Sequence, residues 1–224
     1  MIACVADGAG SAARSDLGAR IACQTWVQQM RLHTEQGWGF TSNYGQRFAL
    51  EARNAIRNQA SIDKAPLAEY ACTFLGACLR PEQALFVQIG DGAIVIGAIA
   101  EVDQYEVVFW PDQGEYANTT TFLTDELTPY RTRSWSYSTR IDKVALFSDG
   151  LQRLALNYET QSAFAPFFNS MFEHLRESEP IDRTELSFAL SSFLDSDPIN
   201  DRTDDDKTLV LATRLRAPYA APES

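Results

Sequence analysis

Three short stretches set an Asp between an apolar run and a glycine: VADGAGSA around Asp7, VQIGDGAIVI around Asp91 and ALFSDGLQRL around Asp149. A fourth acidic point, DDDKTLVLA, begins at Asp204. Taken singly, Asp-Gly after an apolar run is a turn, because Gly reaches positive φ without steric cost and Asp hydrogen-bonds its own backbone. Four such points beside apolar strands admit a second reading, in which each carboxylate stands at a strand end with its backbone fixed and its side chain meeting solvent. If Asp7, Asp149 and Asp205 converge, each pair repels by about 4 kcal/mol at roughly 4 Å and an effective dielectric of about 20. A cation must offset that. All-oxygen ligands suit Mg²⁺ or Mn²⁺, which keep several waters, whereas zinc would draw His or Cys into the set. The bare stretch after Asp7 agrees: the Gly8 carbonyl can approach an ion closely, and Ala9, Gly10, Ser11 and Ala12 leave room for metals, waters and a phosphate.

The remaining chemistry-bearing residues read more plainly. His33 and His174 are remote from every acidic motif and read as surface or helix residues. Arg14, seven residues past Asp7, is either a solvated surface charge or a contact for phosphate, and Arg153, one turn past Asp149, reads as an ion-pair partner. Trp26, Trp38, Trp110 and Trp135 read as core or loop anchors.

The elements that must position these residues alternate along the chain. Ile2 to Ala6 is a short strand, and a helix starts at Ser15, a candidate N-cap. GQRFALEARNAIRNQ places Phe48, Ala52, Ala55 and Ile56 on one helical face. EYACTFLGACL, ALFVQIG and AIVIGAI are β-rich, the last two joined through the hairpin signal Gly90-Asp91-Gly92, and DQYEVVFW adds a strand. Residues 111–140 read as a polar surface excursion before the strand KVALFSDG. Helices are predicted at Leu151 to Leu156, Ala163 to Leu175 and Arg183 to Leu194, then the strand KTLVLATRL and a disordered tail from residue 216. Hairpin-joined strands with helices in separate blocks predict an α+β fold with antiparallel sheets.

Composition narrows the function. With 224 residues and 45% hydrophobic content, the chain reads as one domain over residues 1–215. No apolar run nears the roughly 20 residues of a membrane span, and the start, MIACVADGAG, lacks the basic region of a signal peptide, so a cytoplasmic protein without a membrane partner is expected. A net charge of −11 repels phosphate backbones and argues against nucleic acid. Cys4, Cys23, Cys72 and Cys78 form no C-x-x-C pair and read as reduced, buried thiols.

VADGAGSA, the GD of VQIGDGA, FSDG and a terminal DD-x-T before an apolar strand stand in the order found in metal-dependent protein phosphatases, and the chain resembles the protein phosphatase 2C type. ACTFLG, GEYAN, SDGLQRLALN and RTDDDKT bring it nearer the bacterial serine/threonine phosphatase C-like branch, over roughly residues 2 to 213. The resemblance implies a four-layer α-β-β-α sandwich, two antiparallel sheets flanked by helices. It implies two Mn²⁺ or Mg²⁺ ions, with Asp7 bridging them, the Gly8 carbonyl completing one and Asp149 and Asp205 holding the other. Asp91 would help hold a third, weaker ion, Asp206 would stand behind the ligands, and Asp204 would be a loop charge. The implied reaction is hydrolysis of phosphoserine or phosphothreonine in a phosphorylated protein by a metal-activated bridging water, without a covalent intermediate.

Two departures accompany the resemblance. Met1 lies six residues before Asp7, so the family's upstream strand, with its acidic residue and phosphate-gripping Arg, is not in this sequence: either the sequence is a truncated one, or the domain lacks part of its site and leaves a sheet edge uncovered. Ala9 stands where some relatives carry a His. A phosphatase-like module that binds metal or phosphoprotein with poor turnover is the alternative function.

Overall fold

The computed structural model of the chain describes residues 1–41, 43–98, 103–111, 120–177 and 183–214. In chain order its strands are β1 (Ile2–Val5), β2 (Phe74–Leu79), β3 (Ala84–Ile89), β4 (Ala93–Gly97), β5 (Glu106–Val107), β6 (Arg133–Tyr137), β7 (Lys143–Phe147), β8 (Leu156–Asn157), β9 (Ser162–Ala163) and β10 (Leu209–Thr213). Its helices are α1 (Ser15–Glu35), α2 (Tyr44–Asp63), α3 (Thr128–Arg131), α4 (Gln152–Ala155), α5 (Ala165–Glu177), α6 (Arg183–Leu194) and α7 (Asp197–Asn200).

Two antiparallel sheets form the centre, ordered β1-β2-β3-β6 and β10-β7-β4-β5, with β8 and β9 as a separate ribbon. Both are covered on both faces over most of their area, so β2, β3 and β7 are buried at every position and read as apolar runs, interrupted by the buried Gln88 and Lys143, rather than as alternations. The period of two still decides which core each residue enters. Phe74, Cys78, Leu85, Val87 and Ile89 face Trp26 and Met30 of α1 and Phe48, Ala52 and Ile56 of α2. Leu75, Ala77 and Phe86 face the other way and meet Ile94, Ile96, Val144 and Leu146 of the second sheet. That sheet's outer face, with Val95, Ala145, Phe147 and Leu209, packs on Phe168 and Phe172 of α5 and Leu194 of α6. Three cores between successive layers make the α-β-β-α sandwich.

Several sequence expectations are corrected. Gly90-Asp91-Gly92 is not a hairpin: β3 pairs with β2 and β6, β4 with β5 and β7, so these residues carry the chain from one sheet to the other. Gly90 sits at φ +93°, which supplies the sharp change of direction that a hairpin would also have used. Part of the supposed surface excursion is structured, since α3 and the edge strand β6 lie within it. Ser15 is the first residue of α1 rather than its cap, which is Arg14, and no side chain caps that end. The helix expected over Leu151 to Leu156 is a 3₁₀ turn, Asp149–Leu151, followed by the single turn of α4. GEYAN and the tail from residue 216 lie outside the described residues. Among the described residues β1 pairs only with β2, leaving its other edge open. No helix among them is long and apolar enough to cross a membrane.

Candidate functional site

Asp7 follows β1, and the chain there stays tied to its neighbour past the end of the strand. The Asp7 amide donates to Thr73 Oγ1 at 3.2 Å, the Thr73 amide donates to the Asp7 carbonyl at 2.8 Å, and Gly8 pairs with Cys72 across an antiparallel bridge. A Cβ on Gly8 would lie 2.7 Å from Ser15 Oγ, so glycine lets the start of α1 close on this turn. Ser15 thus serves the Asp7 loop by proximity. Gly10, by contrast, has nothing within 4 Å of a Cβ position, so its smallness creates no close approach to protein atoms.

Asp91 sits in the crossing between sheets. Thr120 Oγ1 donates to its carboxylate and the Gln152 amide donates to its carbonyl. The methyl of Thr73 packs where a Gly90 Cβ would stand, at 2.6 Å, so one threonine braces both the Asp7 and the Asp91 turns.

Asp149 lies two residues past the end of β7, the strand between β10 and β4, and the Gly150 amide donates to its carboxylate at 3.0 Å. The carboxylate-rich loop ahead of β10 is fastened to the same turn by Ser148. Its hydroxyl donates to the Asp206 carbonyl at 3.2 Å and accepts from the Thr208 amide at 3.0 Å, while its own amide donates to the Thr208 carbonyl at 3.1 Å. Ser148 is 3% exposed, so these bonds lie away from competing water. Gly150 lies against that loop: a Cβ there would stand 2.4 Å from the Asp206 carbonyl oxygen.

The four turns bring their charges into one field. Burial, then Asp205, Asp206 and Asp91, raise the Asp7 carboxyl above its ordinary 3.8. Burial, then Asp91, Asp205 and Asp7, push Asp149 up to about 6. Asp205 acts on both, whereas Asp206 acts on Asp7 and also donates its amide to Asp205 Oδ1 at 2.9 Å. Asp204 is exposed. Among the described residues no three His, Cys, Asp or Glu side chains stand close enough to enclose a single ion by themselves. An all-oxygen set of spread carboxylates nonetheless fits Mg²⁺ or Mn²⁺, because such ions are commonly held by one or two carboxylates and complete their shell with water. A groove of about 600 Å³ on α1, lined by Cys23, Val27, Arg31 and Leu32, includes none of these carboxylates.

The other candidates fall outside the group. Arg14 pairs with Glu69, which accounts for its charge without phosphate. His33 is buried among Trp38, Phe40 and Tyr44, and His174 is exposed on α5. Arg153 makes no ion pair with the described residues, contrary to the expectation of a structural partner. Trp26 is a core residue, while Trp38 and Trp135 are 53% and 59% exposed. The four cysteines are free, and burial pushes Cys72, beside the Asp7 turn, up to about 12. Thr73, Thr120, Ser148 and Gln152 were not singled out from sequence. Their signal was position, each one to three residues from a motif residue or directly inside ACTFLG, FSDG or SDGLQRLALN.

The raised carboxyls have a consequence for stability without metal. Between the ordinary 3.8 and about 6, folded Asp149 binds more protons than unfolded Asp149, so stability falls as pH rises through that window. His33, whose pKa burial and Arg80 lower, acts oppositely as pH falls below the ordinary 6.5. The metal-free protein is therefore compared with Asp149→Asn: the wild type is expected to lose melting temperature relative to the variant as pH rises from about 4 to about 7. Parallel melting curves for the two proteins across that range would remove Asp149 from the strained group.

The comparisons with known proteins point one way. The sequence profile described as Protein phosphatase 2C matches residues 1–195. Serine/threonine-protein phosphatase 3 of Escherichia coli (strain K12) is 37% identical over 209 residues, covering 93% of this chain and 81% of that protein. Among solved structures, serine/threonine phosphatase Stp1 from Staphylococcus aureus superposes with a TM-score of 0.60 at 13% identity, over 95% of this chain and 83% of that one. The Mycobacterium tuberculosis serine/threonine phosphatase PstP/Ppp superposes with a TM-score of 0.60 at 15% identity, over 96% and 88%. At such identities the two structures speak for the fold alone. The profile and the Escherichia coli relative speak for ancestry over nearly the whole sequence, and the chain belongs to the protein phosphatase 2C family.

Proposed function

We propose that this chain, as one domain over residues 1–215, is a metal-dependent protein phosphatase that hydrolyses phosphoserine and phosphothreonine in protein substrates. The observation that carries the reading is the mutual charge of Asp7, Asp91, Asp149 and Asp205, four carboxylates delivered from both sheets to one field. Asp7, the Gly8 carbonyl, Asp149 and Asp205 would hold two Mn²⁺ or Mg²⁺ ions, and Asp91 would help hold a third. When bound, such ions acidify water, orient phosphoryl oxygens and offset the charge of an in-line displacement.

The chain's own part is to hold acceptors in place before anything binds. Thr73 fixes the Asp7 backbone, Thr120 and Gln152 fix Asp91, and Ser148 fixes the loop of Asp205. Preset acceptors need little reorganisation during reaction, which is where electrostatic catalysis gains most. A direct attack by water suits the side chains nearby. The Ser148 hydroxyl is already committed to two backbone groups, and the Cys72 thiol is buried and held protonated at neutral pH. Neither is placed as a nucleophile.

The second reading, a module that binds metal or phosphoprotein with little turnover, uses the same four carboxylates and differs only in whether bound substrate is hydrolysed. One experiment separates the two. With Mn²⁺ the protein is expected to hydrolyse p-nitrophenyl phosphate and a phosphothreonine peptide, both abolished by EDTA. Binding to the folded state alone adds about 2.7 kcal/mol at a hundredfold excess over Kd, a melting shift of about 5–10 °C. A melting shift without turnover selects the binding module, and neither effect restores the four Asp sites to simple turns.

A further inference from the structure

Beside the carboxylates stands a built feature that their chemistry does not use. Asp149 opens the 3₁₀ turn Asp149–Leu151, which runs straight into α4, so Arg153 stands four residues on, at the second position of α4. Its neighbour Gln152 reaches two ways: the amide donates to the Asp91 carbonyl, and Oε1 accepts from the Tyr158 hydroxyl at 2.6 Å. Tyr158 is held again by Trp110, edge-on at 5.4 Å, yet is 38% exposed. The ribbon carrying it is internally braced, with Asn157 Oδ1 accepting from the Glu159 and Thr160 amides at 3.0 and 3.2 Å. Arg153 is exposed and has no ion pair with the described residues, in a chain of net charge −11. The Tyr158 phenol, raised mainly by burial, feels Arg153, which lowers it, and Asp149 and Asp91, which raise it, so the guanidinium and the carboxylates act on one common group.

We infer that Arg153, beside the braced Tyr158 ribbon, is a specificity-determining residue at the rim of the site, and that it receives an acidic side chain flanking the phosphorylated residue of the substrate. The inference rests on the phosphatase reading above. The carboxylates repel an acidic peptide wherever they are not neutralised, so the Arg153 guanidinium, four residues past Asp149 in the chain and without an ion pair among the described residues, gives such a peptide a point of attraction beside them. Arg suits the role because its planar fork matches a carboxylate. The pair stays partly in water and is screened, so the effect is a few-fold and falls with salt.

The test uses two phosphothreonine peptides, one with Asp and one with Asn at the flanking positions, and the Mn²⁺-loaded protein. The wild type is expected to favour the acidic peptide about fivefold in kcat/KM, through KM, with the preference shrinking at about 0.5 M NaCl. Arg153→Ala is expected to lose the preference with an unchanged melting temperature and an unchanged rate on p-nitrophenyl phosphate, and Arg153→Lys to keep part of it. Arg57→Ala, which removes the same charge from an exposed position on α2, is expected to behave as wild type. The inference is overturned if the wild type shows no preference, if Arg153→Ala retains it, or if Arg57→Ala removes it equally. Fluorescence anisotropy with both peptides reads the same preference as binding. Loss of turnover on every substrate therefore counts against the phosphatase reading, and loss of the binding preference against this one.

Discussion

Asp7→Ala is expected to lower Mn²⁺-dependent turnover by about 10³-fold or more, and at the same time to raise the melting temperature of the metal-free protein. The first effect follows if Asp7 joins both ions, because its loss removes an acceptor whose charge the whole site shares. The second follows from the electrostatics of the unliganded fold. Burial, Asp205, Asp206 and Asp91 all oppose ionisation of Asp7, so at neutral pH its charge is held against resistance. Removing it relieves repulsion of about 1 kcal/mol, or about 2–4 °C for a domain of this size. The backbone contacts survive, since Thr73 bonds the amide and carbonyl of residue 7 rather than its carboxylate. Mn²⁺ should then add little to the variant's melting temperature. Opposite signs for activity and metal-free stability mark a residue kept for function at a cost in folding. A variant that loses activity and stability together would instead mark Asp7 as a fold residue.

The residue types that the chemistry needs were legible in the sequence, and what they lacked was partners. Asp7, Asp91 and Asp149 could be picked out because an apolar run ending in Asp-Gly is a local pattern. Where the next strand pairs is not local. Gly90 at φ +93° serves a hairpin and a crossing between sheets equally well, so the glycine disclosed the bend but not its destination. β6 carries no strand signal in the sequence because RSWSY pairs on one side only and leaves Trp135 largely in solvent, which removes the apolar pattern of a covered strand. The layered core was readable as apolar runs, yet only the register shows that Phe74 and Leu75 belong to different cores. Arg14 shows the same limit in a charged residue: its nearness to Asp7 in sequence suggested phosphate, and Glu69, 55 residues away, takes it instead. Ser148 is the counterpart among the supports, since its three bonds reach a loop 58 to 60 residues on, and no spacing rule links them.

Gly150→Ala tests whether that loop sets the site, because the substitution adds one methyl group and removes no functional atom. The new Cβ would stand 2.4 Å from the Asp206 carbonyl oxygen and 3.3 Å from Asp205 Cβ, closer in the first case than packed atoms come. The obstacle is backbone, so it cannot rotate aside as a side chain would. Ser148 pins the same stretch at the Asp206 carbonyl and at both backbone groups of Thr208. Relief therefore requires either breaking those bonds or shifting the Asp149 turn and the Asp205 loop apart. Overpacking of this kind costs about 1–3 kcal/mol. A displacement near 1 Å at a reacting centre costs about 10²-fold in rate. The variant is expected to melt lower, to lose about 10²-fold in Mn²⁺-dependent kcat/KM, and to gain less melting temperature from Mn²⁺ than the wild type does. Gly10→Ala, three residues past Asp7, meets nothing within 4 Å and is expected to change neither stability nor turnover appreciably. The pair of variants separates two uses of glycine beside an Asp, one that holds two segments in contact and one that merely turns the chain. Wild-type turnover and an undiminished Mn²⁺ shift in Gly150→Ala would mean that Asp205 reaches its place without the support of the Asp149 turn.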